Sequence, residues 1–448
     1  MLTTLLLSAN LLLSATAQAA EPATPTVPAE AVAPTPPVAP APPPAPPAPV
    51  APVAIAAPAA PAAPAAEPKK PTELVKFYGH FQGTVIGAKN GLESFNSANM
   101  SAPTAAANPT AYYKSGNDQA ASFQAVQSRV GLKVNEGGSA DAHLEIDFVD
   151  FNKSSPTTQA VPRLRIAAVG WNVNDTQRLV MGQTWDLFGG NTNPSHYNWV
   201  GAHFRAGNVG FIRHQVQYLI TLPTLEMGLA AGLSNANATS DVGAVEGGVY
   251  PTIAGRIGHK CKMAKFGLSG IFAKPKYPIT ATATTAFPTE RRTSYGALAY
   301  YDLKLAGGML GLSGEIYYGH NLADIGALTL SEGRTGKSIN EAGGWVQATA
   351  TFDAHRLYLA AGVARVLNGD DVLPGFTGTP AARKFIGIKS NIHVRPGYAY
   401  TPVERFTLFV EPILYQTTHQ LQIATATVPM SDETRLAWGA QVGTAFKF

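Results

Sequence analysis

Cysteine is nearly absent. One residue, Cys261, stands among 448, which excludes an intramolecular disulfide and a thiolate metal site. Its expected place is a short turn, as an unreactive thiol. Charge is scarce as well, at 14%, and the formal net charge of +4 is too small to argue for a nucleic-acid partner. Uninterrupted apolar runs of about 18 residues, the signature of a spanning helix, occur nowhere outside segments broken by proline. Neither H-E-x-x-H nor a nucleophile elbow is found, so no catalytic residue, metal or cofactor is expected. Gly333-Arg334-Thr335-Gly336-Lys337-Ser338 ends like a phosphate loop, but Ser331 stands where its first glycine belongs. No strand–loop–helix unit surrounds it, and it reads as a surface loop.

Glycine is plentiful at 43 residues, and the mean hydropathy is +0.01. Length alone would allow two or three soluble domains. Near-neutral hydropathy also suits a membrane barrel, whose strands need only about 9–11 residues of alternating polarity each.

The chain divides by composition into 1–19, 20–72 and 73–448. Leu5–Leu7 and Leu11–Leu13 precede Ala17-Gln18-Ala19, the pattern of a secretory signal and its cleavage site, although no Lys or Arg precedes the leucines. From Glu21 to Pro71 the sequence is almost only Ala, Pro, Val and Thr and holds 19 of the 35 prolines. Proline removes backbone donors and favours an extended chain of roughly 3.1 Å per residue, so this stretch is expected to be a disordered periplasmic linker. A cell-wall tether is the functional alternative to a passive spacer.

From Leu74 onward the period is two. Val75, Phe77, Gly79, Phe81, Gly83 and Val85 share one face, and Lys76, Tyr78, His80 and Gln82 the other. Strands are expected near 75–85, 126–134, 142–148, 162–172, 177–186, 209–222, 225–235 and 248–260. Eight more are expected near 263–274, 291–303, 307–319, 341–353, 356–367, 383–400, 405–415 and 433–448. Sixteen is an even number, and short turns alternate with long loops, as in bacterial outer-membrane barrels. The final strand places Leu436, Trp438, Ala440, Val442, Thr444, Phe446 and Phe448 on one side. It ends on an aromatic and resembles the C-terminal signal of such proteins. Phe77, Tyr300, Tyr301, Phe352, Tyr358, Tyr400, Phe406 and Phe448 are expected in aromatic girdles at the membrane boundary. The expected class is therefore all-β: a 16-stranded antiparallel transmembrane β-barrel preceded by a disordered Pro/Ala-rich segment.

A barrel of this width is not filled by its own side chains, so water and polar residues are expected inside. The period assigns Lys76, Arg129, Lys133, Arg163, Arg165, Arg178, Arg213, Arg256, Arg365, Lys389 and Arg395 to that face, opposed by Glu145, Asp147 and Glu411. Guanidinium stays charged and offers a planar fork to carboxylate or phosphate oxygens. A column of such groups concentrates anions; the plainer alternative is that each arginine pairs with a carboxylate and braces the wall. The loop after the fifth strand, about Leu187–Asn208, is polar and glycine-rich. It is expected to fold inward, carrying Asn191, Asn193, His196, Tyr197, Asn198 and Trp199 into a constriction. Asp186 at its base is expected to face the arginines across the lumen.

Tyr78-Gly79-His80, Ser128-Arg129-Val130-Gly131-Leu132-Lys133, Met181-Gly182-Gln183-Thr184-Trp185-Asp186-Leu187-Phe188 and the closing Phe448 resemble the DcaP-like porins of Gram-negative bacteria. The resemblance covers about Leu74 to Phe448, with Gly-Gln-Thr-Trp its most specific piece. It implies a homotrimeric outer-membrane channel, in contact with outer-membrane lipid, for small anionic solutes such as carboxylates. Members commonly carry a helical N-terminal coil where this chain has its Pro/Ala segment. Trimer contacts through the wall are therefore expected instead, at outward Gly79, Gly83, Gly87, Ala168, Gly170 and Ala440, joined by His214 and Ser128. The competing readings are a non-conducting barrel that anchors the envelope to the cell wall, and an outer-membrane hydrolase.

Overall fold

A computed structural model describes residues 74–89, 119–148, 162–189, 197, 205–210, 212–233, 250–278, 289–291, 293–327, 329–330, 338–369, 384–422 and 431–448. The signal-like and Pro/Ala segments lie outside these residues, as do Gly333–Lys337 of the phosphate-loop-like stretch.

The strands are β1 (Val75–Lys89), β2 (Gln119–Gln124 and Arg129–Val134, one strand broken by a turn), β3 (Ala140–Asp147) and β4 (Arg163–Asn172). Then come β5 (Gln177–Trp185), β6 (Ile212–Thr221), β7 (Leu225–Gly232) and β8 (Thr252–Lys260). Next are β9 (Ala264–Ala273), β10 (Ser294–Leu305), β11 (Leu310–His320) and β12 (Asn340–Phe352). β13 (His355–Val366), β14 (Lys384–Val403), β15 (Phe406–Gln422) and β16 (Ser431–Lys447) complete the wall. Each pairs antiparallel with its sequence neighbour, and β1 also pairs with β16 from His80↔Lys447 to Lys89↔Trp438. The sheet is thus a closed barrel, its first and last strands paired with each other instead of presenting an open edge. The sixteen strands fall where the two-residue period put them.

Closure is completed by the last residue. The Phe448 N–H donates to the Gly79 carbonyl at 3.1 Å, the Gly79 N–H donates back to the Phe448 carbonyl at 3.1 Å, and the Phe448 ring stacks on Phe81. Seven tight connections join the strands at one end, among them Asn135–Ser139 and Cys261–Met263. Asn135 and Asp353 take positive φ there, as Asn and Asp tolerate in turns. Cys261 is exposed in its turn, as expected.

The outward face is greasy throughout. Phe81, Met181, Leu229, Leu268, Ile316, Leu359 and Val442 are all exposed, Met181 at 65% and Ile316 at 66%. An apolar belt of that extent is incompatible with a water-facing surface and fits lipid. Aromatics cap the belt. Phe77, Trp171, Phe266, Phe352 and Phe446 are exposed near the tight-turn end, and Phe272, Tyr295 and Tyr318 near the long-loop end. Tyr300 and Tyr358, expected in these girdles, instead point inside and are buried at 3% and 4%.

A bulge in β4 corrects part of the expected facing. Register runs Asp147↔Arg163 and Ile146↔Leu164, then skips to Glu145↔Ile166. The extra residue reverses the parity of the rest of the strand. Arg163 and Arg165 stay inward, but Ala168 and Gly170 turn inward with them. A Cβ on Gly170 would meet the Arg178 guanidinium and the Asp141 carboxylate. Ser128 is also buried, its Oγ accepting the Gln82 N–H at 3.1 Å. Of the small outward residues expected at a trimer contact, Gly83, Gly87 and Ala440 are exposed, as is His214.

Candidate functional site: the lumen and its inward loops

The wall formed by β1–β5 carries a ladder of ion pairs. Beginning at the long-loop end, Arg163 forks onto Asp147 with Nε–Oδ1 at 2.8 Å and Nη2–Oδ2 at 2.5 Å. Arg165 contacts both Glu145 and Asp147, the latter at 3.7 Å, and lies over the Trp185 ring. Arg129 reaches Glu145 at 3.5 Å, and Tyr78 donates to the other oxygen of that carboxylate at 2.8 Å. Toward the tight turns, Arg178 forks onto Asp141 at 2.6 and 2.7 Å. Lys133 and Lys76 share Glu136. Lys133 donates to that exposed turn carboxylate and holds it below the usual carboxylate range.

Register places Asp147 opposite Arg129 on one side and Arg163 on the other, so charges of opposite sign project at facing positions. The arginines therefore pair, all with carboxylates of β3: Arg129, Arg163 and Arg165 from the flanking strands, and Arg178 of β5 by reaching across Gly170 of β4. Among the described residues the ladder holds six cations and four carboxylates, two more positive charges than negative. Arg129, Arg163 and Arg178 keep 23%, 26% and 32% of their side chains exposed, so the ladder borders accessible space. Farther round, Lys260 and Lys265 share Glu226. Arg256, half-buried on the inward face of β8, has no ion pair within 4.0 Å among the described residues.

The described residues of the loop after β5 touch the inner wall on opposite sides. Its root, Leu187 and Phe188, packs on inward side chains of β7–β10: Ala230, Ala254, Ile271, Ala273, Leu298 and Tyr300. Tyr197 reaches the far wall. It stacks on Phe409 of β15 at 4.3 Å, its N–H donates to Glu411 at 2.9 Å, and its carbonyl accepts from Gln82 of β1 at 2.5 Å. Tyr358 and Gln441 donate to the same Glu411, and Arg395 lies 3.9 Å away. On the return, Ala206 packs among Ile86, Ile413, Tyr415 and Ala437. Gly207 (φ 112) presses on the carbonyl of Gly344, where a Cβ would overlap that oxygen. The Val209 N–H then donates to Glu315 of β11 at 3.0 Å.

Several expected roles change. Asp186 does not face the arginines across a gap; it is buried at 3% and pairs with Arg213 of the adjacent β6 at 2.7 Å. Arg213 is itself buried at 2% and braces the loop root rather than lining water. Arg365 is on the outward face of β13. Its neighbours Val363 and Leu367 are lipid-facing, while Ala364 and Val366 enter an inner cluster with Leu330, Ile339 and Ile388. Lys389 sits at a register shift of β14 and pairs with Asp432 at 2.8 Å. Asn191, Asn193, His196, Asn198 and Trp199 lie outside the described residues.

Two further carboxylates, not anticipated from the sequence, serve the loops. Glu315 and Glu341, each 1% exposed, accept backbone N–H groups of Val209 and Leu330. The loop after β11 also folds inward, burying Leu322 and Ile325 completely. The lumen is therefore lopsided. Apolar loop roots fill the side lined by β7–β10, and the ion ladder runs down the side formed by β1–β5. Among the described residues no group of three or more His, Cys, Asp or Glu could hold a metal ion.

Solved structures share this barrel. The DcaP outer-membrane channel of Acinetobacter baumannii superposes with a TM-score of 0.59 at 15% identity, over 84% of this chain and 97% of that one. The fold is that of the outer-membrane porins. An anion-selective porin from Comamonas acidovorans (TM-score 0.50, 12% identity, 84% and 99% covered) and Pseudomonas putida OprB (0.50, 12%, 84% and 94%) have it too. No family model and no curated protein sequence matches the chain. Gly182-Gln183-Thr184-Trp185, the most specific piece of the DcaP-like resemblance, forms the end of β5 from which the first inward loop departs.

Proposed function

We propose that this chain is a homotrimeric outer-membrane porin, a passive diffusion channel for small hydrophilic solutes with a preference for anions such as carboxylates. Its long loops face outward, and the tight turns and N-terminal segment face the periplasm. The closed barrel with its lipid-compatible belt supports the channel class, and the anion-selective porin among the structures sharing the fold is consistent with the preference. The observation that carries the preference is the surplus of cations along the inward ladder. Solute carboxylates that lose part of their hydration in a narrow lumen meet fixed guanidiniums instead, and mixed pairing keeps that binding weak enough for release. The test is planar-bilayer recording under a salt gradient. The expected result is stepwise conductance with a reversal potential on the anion side; cation preference would overturn the selectivity.

One observation favours a second reading. Two inward loops packed through apolar clusters are what a non-conducting anchoring barrel needs, with the Pro/Ala segment as its tether. Deleting residues 21–71 separates the two: a channel keeps its conductance, whereas an anchor loses envelope attachment and shows no steps before or after the deletion.

A further inference from the structure

We infer that the loop after β11 is a second constricting element of the lumen, and that Arg213 couples it to the loop after β5, so that the two are held or released together. The constriction rests on the channel reading; the coupling itself stands on the fold alone.

Arg213 touches three loops at once. Its Nε donates to Asp186 Oδ2 at 2.7 Å, at the root of the loop after β5. Its Nη1 donates to the Leu233 carbonyl at 2.5 Å, where β7 ends, and its Nη2 to the Ile325 carbonyl at 2.8 Å, in the loop after β11. Only guanidinium has the donor count and planar fork to do this from one position. The apolar contacts run the same way. Leu187, Phe188 and Val209 of the first loop and Leu322, Ile325 and Ala327 of the second belong to one buried cluster. Gly296 and Gly319 make room, since a Cβ on either would meet Leu322. Each loop also has its own wall carboxylates. Glu411 and Glu315 hold the first at Tyr197 and Val209, whereas Glu341 holds the second at Leu330, at 3.1 Å, and accepts from Tyr317.

Removing the guanidinium would leave the buried Asp186 carboxyl without its cation and two carbonyls without donors, a penalty shared between the loops. Removing Glu341 strikes only the second loop directly. A response of the first loop to that change must pass through Arg213 or the shared cluster.

Amide hydrogen exchange on the detergent-folded full chain reads this directly, with heat-modifiable gel migration confirming that each variant forms the barrel. In Arg213→Gln, exchange is expected to rise about tenfold or more in both 186–189 and 321–330, the factor that about 1.4 kcal/mol of lost anchoring gives. Glu341→Gln is expected to raise exchange in 321–330 and also in 186–189, and the second effect should vanish when Arg213→Gln is already present. Arg213→Lys, which can keep an ion pair with Asp186 but not both carbonyl contacts, should loosen mainly 321–330. Deprotection of one segment alone in Arg213→Gln, or an unchanged Glu341→Gln effect on 186–189 in the double variant, overturns the coupling. Single-channel conductance tests the constriction: a rise of about twofold in Glu341→Gln supports it, and unchanged conductance despite deprotection of 321–330 overturns it. Absence of any steps in the unmodified protein would remove the channel reading and the constriction with it, leaving the coupling to stand or fall on exchange.

Discussion

At the scale of single residues, the lumen depends on how its cations and carboxylates are shared out along the wall. Arg129, Arg163 and Arg165 divide Glu145 and Asp147. Two unit charges about 4 Å apart interact by about 4 kcal/mol at an effective dielectric near 20, so one unbalanced charge is enough to bias ion flow severalfold. Replacing Arg163 and Arg165 together by Ala should therefore lower the anion-to-cation permeability ratio severalfold. Asp147→Asn should raise it, because it frees the same guanidiniums. Arg365→Ala should leave it unchanged, since that side chain faces the membrane. Reversal potentials measured for the three variants under one salt gradient check all of this. An Arg365 effect as large as the Arg163 and Arg165 effect would show that electrostatics outside the lumen set the preference. Most ladder arginines could be assigned from parity alone, because one strand face is lipid and the other is not. Arg365 is the exception to an inward reading of the arginines: in His355–Val366 it shares its parity with the exposed Leu357, Leu359 and Val363, while Tyr358, Ala364 and Val366 take the inner face.

At the scale of elements, strands were legible and loops were not. A strand in a barrel is fixed by its own period and the demand that every backbone group be paired, and both are local. The β4 bulge is different: nothing in Arg163-Leu164-Arg165-Ile166 announces an extra residue, and its effect on Ala168 and Gly170 comes from register with β3. Inward folding of the first loop was anticipated from its position, yet its anchors, Glu315 and Glu411, lie 106 and 214 residues away from the amides they hold. The second inward loop carried Leu322, Ile325 and Leu330, an apolar set unusual for a water-exposed loop, and that was the available signal. Gly207 gives an element-scale test. Its positive φ and its contact with the Gly344 carbonyl leave no room for a Cβ, so Gly207→Val should lift residues 205–210 off β12 at a cost of about 1–3 kcal/mol. Faster amide exchange at Val209 with an intact barrel is the expected outcome, and unchanged exchange would show that the loop does not need that contact. The closing pair is a second case. Phe448→Ala removes the ring stacked on Phe81, and the folding yield into detergent should fall while the other strands keep their register.

At the scale of the whole molecule, the same outward surface must serve two solvents. Over most of the barrel it bears Leu, Val, Phe and Ile, which suit lipid. Around the β1–β16 seam it also bears Gly83, Gly87 and Ala440, low spots on either side of the exposed Val85 and Val442. Lipid gains little from such low spots, whereas a second protein wall gains close backbone approach and dispersion contacts. The seam is also where the barrel closes, so an interface there would protect the last-formed pairing from fraying. Large side chains at the low spots separate assembly from folding. A Cβ at Gly87 meets nothing within 4 Å, and one at Gly83 meets only Thr444 Oγ1 at 3.9 Å, so both positions accept a side chain directed away from the barrel, as in Gly83→Phe with Gly87→Trp. The doubly substituted chain should fold with unaltered heat-modifiable migration, yet run as a monomer by light scattering in mild detergent where the unmodified protein is expected to run as a trimer. Persistence of the trimer would move the interface away from the seam, to the wall around His214. Loss of folding would mean that the low spots serve closure of the barrel rather than contact between barrels.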